Sequence, residues 1–220
     1  MEILKKEYIF FDLDGTLTDP ALGITNSLMY ALDKFNIHVQ NREELYKFIG
    51  PPLVDMMMQE YGFSKEKAQE GLANYRVYFR DKGIFENTVY DGIPEMLASL
   101  QAQGYKLALA TSKPEEFAKR ILDHFELSKY FCFVGGSDMG EKRATKDAVI
   151  AYVLESLHVA APQQCIMVGD REHDVLGAQK CGMDCVGVLF GYGSREELAS
   201  AGAAYLAENV AELLAFLSRI

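Results

Sequence analysis

A chain of 220 residues with 49% hydrophobic and 25% charged residues fits one large α/β domain or a core with a smaller domain attached, which excludes a disordered, fibrous or membrane-embedded protein. The formal net charge of −10 excludes nucleic acid polymers and anionic membranes as main partners, since both need a basic footprint, and no apolar run approaches the length of a membrane span. The four cysteines, Cys132, Cys165, Cys181 and Cys185, show neither CxxC spacing nor a His-rich companion segment, so they read as reduced thiols on core elements.

The opening stretch MEILKKEYIFFDLDG lacks the ordered charged, apolar and small-residue regions of a signal peptide, which points to a cytoplasmic protein. It passes into an apolar strand, Tyr8 to Phe11, and then into Asp12 and Asp14. Residues i and i+2 of an extended segment share a side, so the two carboxylates can converge on one site; Asp14-Gly15 is equally ordinary turn chemistry. From about Ala21 to Phe85 helices and loops follow with no convincing strand, including ITNSLMYALDKF, the turn IGPPL and the Tyr-rich ANYRVYFRDKG. This interval reads as a helical insertion that begins close to the Asp12/Asp14 strand end, where it could serve as a lid.

In GIPEMLASLQAQGYKLALATS, Ile93, Met96, Leu97 and Leu100 fall at i, i+3, i+4 and i+7, Gly104 can stop the helix, and a strand follows at Leu107 to Ala110. Further strand-like runs are Phe131 to Val134, Cys165 to Val168 and Cys185 to Leu189. Helices are expected from about Lys146 to Leu157 and after Asp174. Such alternation predicts an α/β fold, a mainly parallel sheet with helices on both faces.

Ligands of open parallel sheets bind outside the carboxyl ends of the strands, and polar groups recur there. Thr111, Ser112 and Lys113 follow LALA, Lys146 opens a helix, and GDREHD follows IMV with Asp170 and Asp174. Each has a plainer reading alone: Thr111-Ser112 as a helix cap before Pro114, Lys146 as a solvated surface lysine, Asp174 as a charge favouring a helix N-terminus. Together they set a candidate nucleophile, a hydroxyl, a lysine and an acid pair at successive strand ends. VGGSDMG and FGYGS lack the spacing of the dinucleotide fingerprint and read as strand-end loops.

DLDGTLTD, ATS, Lys146 and GDREHD, in that order, are similar to the four motifs of the haloacid dehalogenase superfamily, most of whose members are magnesium-dependent phosphatases. The resemblance spans nearly the whole chain and implies a Rossmann-like core of residues 1–18 and 87–220 with a helical cap of residues 19–86. FIGPPL, GYGSREELASAGA and ENVAELLAFL are similar to the phosphoglycolate phosphatase group and related nucleotidases. One departure is that Asp147, rather than proline, follows Lys146; Lys142 is the alternative lysine.

The resemblance implies that Asp12 is the nucleophile and becomes an aspartyl-phosphate, while Asp14 protonates the leaving alcohol and later takes a proton from water. It implies Mg2+ held by the Asp12 carboxylate, the Asp14 carbonyl and Asp170, with Asp174 orienting metal waters or Lys146 from behind. Thr111 and the Ser112 amide are expected on the phosphoryl oxygens, and Lys146 on both the phosphate and Asp12. With Asp14 protonated, the charges of Asp12, Asp170 and Asp174 are matched by Mg2+ and Lys146.

The substrate is expected to be a small phosphorylated metabolite, phosphoglycolate first. The alternatives are a nucleoside monophosphate, a β-phosphoglucomutase-like transfer, or a phosphoryl-binding regulatory module without turnover. A dehalogenase would have no use for Asp14 or for the metal-binding acids. Gly50 in FIGPPL and the Arg76 region are the candidates for contacting the leaving group, against plainer roles in turning the chain and packing the cap. Oligomeric state is not legible.

Overall fold

The computed structural model describes residues 6–138 and 143–220; Lys142 lies outside the described residues. The chain divides into two compact units, Met1–Thr18 with Val89–Ile220, and Asp19–Thr88. It opens with β1 (Tyr8–Phe11) and β2 (Thr18–Asp19), then enters the second unit.

That unit is built from α1 (Ala21–Asp33), α2 (Leu53–Tyr61) and α3 (Lys65–Tyr78). Ile24, Leu28, Ala31 and Leu32 give α1 one buried stripe at helical spacing. Gly62, at φ +63°, ends α2, and the Ser64 hydroxyl caps α3 by accepting from the Lys67 amide at 3.2 Å. Gly50 turns the chain at φ +103° into Pro51-Pro52 and α2, and Arg76 stands in the last turn of α3. Phe35 and Phe63 meet edge to face at 5.0 Å, with Lys67 over the Phe63 ring at 4.1 Å.

The chain leaves this unit through β3 (Thr88–Val89), which pairs with β2. There follow α4 (Ile93–Ala102), β4 (Lys106–Pro114), α5 (Glu115–His124), β5 (Phe131–Ser137) and α6 (Lys146–Ser156). The last elements are β6 (Cys165–Gly169), α7 (Glu172–Lys180), β7 (Asp184–Val188), α8 (Arg195–Ala201), β8 (Tyr205–Ala207) and α9 (Val210–Leu217). Six strands form one parallel sheet in the order β5-β4-β1-β6-β7-β8. Three-residue β8 is too short for a sequence pattern to reveal.

β1 is central and apolar throughout because both faces of the sheet are covered. Phe10, Ala108, Ala110 and Met167 pack with Val149, Val153, Val175 and Leu198 of α6, α7 and α8. The alternate residues Ile9, Phe11, Leu107 and Leu109 point to the other face and are buried too. Burying such a side chain stabilises the fold by roughly 1.5–3 kcal/mol each.

From β1 the sheet grows through β4 and β5 on one side and through β6, β7 and β8 on the other. β1 is therefore the switch point, beside which open parallel sheets bind ligands. Phe11 is in register with Leu109 of β4 and Val168 of β6, so Asp12, Thr111 and Asp170 emerge at the same end of neighbouring strands.

Candidate active site at the carboxyl end of the sheet

The Asp12 amide donates to the Val168 carbonyl at 2.9 Å and prolongs the β1 ladder by one residue. The chain then folds tightly: the Leu13 carbonyl accepts from the amides of Thr16, Leu17 and Thr18, and Gly15 adopts φ +80°. A Cβ at Gly15 would lie 2.2 Å from Asp170 Oδ2, so only glycine lets this turn pass the second acid. Asp14-Gly15 is thus a turn, one that passes directly against Asp170.

Lys146 is the first residue of α6 and is only 6% exposed, which removes the reading as a solvated surface lysine. Its Nζ is 2.9 Å from Asp12 Oδ1 and 2.7 Å from Asp174 Oδ1, and it donates to the Ala110 carbonyl at 3.1 Å. Burial opposes its charge, but Asp12 and Asp174 outweigh that and hold the ammonium above its ordinary value.

Asp170 follows β6, with Oδ2 accepting from the Tyr192 amide at 2.8 Å and Oδ1 from the Thr16 hydroxyl at 3.3 Å. Asp174 accepts from the Arg171 amide at 3.1 Å at the start of α7. It therefore caps that helix while it pairs with Lys146.

Carboxylate oxygens of Asp12, Asp170 and Asp174 lie within 4.8 Å of one another, and all three residues are buried. Burial, reinforced by Asp174 and Asp12, raises the Asp170 carboxyl well above its ordinary value. Burial also raises Asp174, with Lys146 opposing and Asp12 adding to the shift. A divalent cation would relieve this crowding, and hard, buried oxygen donors are what such an ion requires. The residues present fit the metal that the motifs imply.

Thr111 is buried at the end of β4, and its hydroxyl accepts from the Lys113 amide at 3.2 Å. The cap reading does not apply: Pro114 precedes α5, with no side-chain cap. Ser112 lies in an irregularity of β4, because Thr111 is in register with Gly136 and Pro114 already with Ser137. Gly50 and Arg76 belong to the helical unit.

Two features escaped sequence reasoning. Lys113 Nζ lies 2.5 Å from Asp14 Oδ2, so each N-terminal carboxylate has its own lysine. Its signal was Lys113 standing two residues beyond Thr111 in an extended segment. Burial raises the Asp14 carboxyl above its ordinary value, with Lys113 opposing and Asp12 adding to the rise.

The other feature is the loop FGYGS, whose glycines press against Asp170. A Cβ at Gly191 would lie 2.3 Å from the Gly15 carbonyl and 2.4 Å from Asp170 Cβ. Beyond the loop, Glu197 accepts from Arg171 Nε at 2.8 Å and the Glu172 amide at 2.9 Å, tying α8 to the start of α7. Gly191→Ala should therefore displace Asp170 and, if the acid cluster holds the Mg2+ that the motifs imply, weaken Mg2+ binding by about 10–100-fold, read by titrating Mg2+ against Tm. An unchanged Mg2+ titration would show that the loop does not set this carboxylate.

A family model described as haloacid dehalogenase-like hydrolase matches residues 9–188. A 5'-nucleotidase of Pseudomonas aeruginosa is 46% identical over 195 residues, covering 89% of this chain and 88% of that protein. A phosphoglycolate phosphatase of Colwellia psychrerythraea is 28% identical across 100% of both chains. Among solved structures, a predicted phosphatase from Clostridium acetobutylicum superposes with a TM-score of 0.95 at 48% identity, covering 98% of this chain and 100% of that one. Strand order, motif residues and relatives agree, and the chain belongs to the haloacid dehalogenase-like hydrolases, as one of their phosphatases.

Proposed function

We propose that the protein hydrolyses a small phosphate monoester through an aspartyl-phosphate on Asp12, with a nucleoside 5'-monophosphate as the preferred substrate. The observation that carries the chemistry is Asp12 at the switch-point strand end, ion-paired with buried Lys146 inside the Asp12/Asp170/Asp174 cluster. The nucleoside preference rests on 46% identity to a 5'-nucleotidase, against 28% to a phosphoglycolate phosphatase.

In this reading the Asp12 carboxylate attacks phosphorus in line, and the bond from phosphorus to the ester oxygen breaks. Asp14, whose burial favours the protonated form, gives its proton to that oxygen. It then takes a proton from the water that displaces phosphate from Asp12. Lys146 balances charge on Asp12 and on the phosphoryl group, while Thr111 and the Ser112 amide hold phosphoryl oxygens. Mg2+, held by Asp12, the Asp14 carbonyl and Asp170 with Asp174 behind them, would supply charge stabilisation for those oxygens.

The test is phosphate release from phosphoglycolate, nucleoside monophosphates, sugar phosphates and pyrophosphate, with Mg2+ or with EDTA. A preferred nucleoside monophosphate, lost in EDTA, is expected. Preference for phosphoglycolate would overturn the substrate assignment alone, and release from no ester would overturn the phosphatase reading.

The metal has an independent readout. At roughly 100 times its Kd, Mg2+ should stabilise the fold by about 2.7 kcal/mol, an upward shift of roughly 5–10 °C in Tm for a chain of this size. An unshifted melt would remove the Asp12/Asp170/Asp174 cluster as the Mg2+ site.

A further inference from the structure

We propose that Lys113 is a positioning residue for Asp14, gripping Oδ2 so that Oδ1 is the oxygen that exchanges a proton with the leaving group and then with water. This rests on the reading of Asp14 as the acid and base, and goes beyond it by adding a second lysine to the reaction.

The geometry begins in β4. Between Thr111 and Pro114 the strand advances three residues while β5 advances one, from Gly136 to Ser137. The Thr111 hydroxyl, accepting from the Lys113 amide at 3.2 Å, stabilises this irregularity. Gly136 makes room for it, since a Cβ there would lie 2.7 Å from the Lys113 carbonyl and 2.6 Å from Glu115 Cα. The result carries a lysine side chain into the protein, with 5% of its surface exposed, onto an Asp14 side chain that is 13% exposed.

Burying a long charged side chain costs conformational entropy and hydration, so a lysine whose only task was solubility would turn outward. Lys113 instead contacts Asp14 Oδ2 at 2.5 Å, while Asp14 Oδ1 is buried with no hydrogen-bond partner among the described residues. The two oxygens are therefore unequal. One is held by a cation, and the other, unpaired among the described residues, can meet a group that arrives with substrate.

In the first step the proton on Oδ1 passes to the ester oxygen, which keeps the electron pair of the breaking bond to phosphorus. Asp14 is left as a carboxylate facing the Lys113 ammonium. In the second step a water proton returns to Oδ1 as the water oxygen bonds to phosphorus and the bond from phosphorus to Asp12 breaks. Lys113 keeps the carboxyl group from rotating between the steps.

The test compares wild type, Lys113→Met and Lys113→Arg on phosphate esters whose leaving groups run from p-nitrophenol through phenol to an alkyl alcohol. The readout is kcat/KM, which reports only the steps through leaving-group departure. Good leaving groups need no acid, so Lys113→Met should lose about 10–100-fold on the alkyl ester and about threefold or less on p-nitrophenyl phosphate, within the span of general acid catalysis. Lys113→Arg should restore most of the alkyl activity.

In an Asp14→Asn background, Lys113→Met should cost about threefold or less, because the group it positions is gone. Equal losses on every ester, a change in KM alone, or a full additional loss in the Asp14→Asn background would overturn the proposal. Should Lys113→Met melt below the assay temperature, Lys113→Gln carries the same comparison. Wild-type turnover with evenly reduced variants defeats this inference alone, whereas a wild type inactive on every ester defeats the proposed function with it.

Discussion

Asp12→Asn protein is expected to release phosphate at least about 10⁴-fold more slowly than wild type from every ester that wild type hydrolyses. The substitution keeps the shape of the side chain and removes the oxygen that the proposed mechanism uses as nucleophile, so no aspartyl-phosphate would form. Its effect on stability should have a different sign from its effect on rate. Asp12 adds to the raised carboxyls of Asp170 and Asp174, so removing its charge relieves repulsion between buried acids, while Lys146 retains Asp174 at 2.7 Å. The melt of Asp12→Asn in EDTA at pH 7 should not fall below that of wild type. Wild-type rates in protein free of contaminating phosphatase would remove Asp12 as nucleophile, and a large fall in Tm would trace the loss to the fold instead.

The second large effect belongs to Lys146→Met. The side chain is 4% exposed and faces Asp12, 11% exposed, and Asp174, 2% exposed, so deleting the cation strands buried carboxylates. Removing one partner of a buried ion pair typically costs about 3–5 kcal/mol, and the low-dielectric surroundings apply that range here. Catalysis should fall about 10³-fold or more, since phosphate then meets an anionic site.

The stability deficit has a defined pH dependence. Lys146 opposes the rise of the Asp174 carboxyl, so its removal drives that carboxyl further above the ordinary value of 3.8. A carboxyl raised in the folded state destabilises the protein at pH values above its folded range, and the penalty disappears below the unfolded value. Denaturant melts without metal should therefore show the gap between Lys146→Met and wild type narrowing as pH falls from 7 toward 4. A constant gap would assign the loss to packing of the methylene stem.

Much of this protein is legible from residues close together in the chain. Tyr8 to Phe11 is apolar without alternation because the strand is covered on both faces, and that pattern needs no partner to be seen. The αβ alternation after Ile93 encodes a parallel sheet, because helices must return the chain to the same end of each strand. The motif acids Asp12 and Asp170 stand at strand ends, and Asp174 in the first turn of the helix that follows, for the same reason.

What the chain order could not show are the contacts made when those ends converge. Lys113 and Asp14 are 99 residues apart, and their pairing depends on a β4 irregularity that exists only once β5 offers Gly136 as its neighbour. Gly191 looks like loop punctuation until the fold sets it against Gly15 and Asp170. The sequence by itself determined the fold class, the strand ends and the carboxylates, because spacing and apolar patterning are local. Only the tertiary structure decided which cation serves which carboxylate and which loop holds Asp170, because hydrogen bonds and ion pairs are set by distances that the fold alone creates.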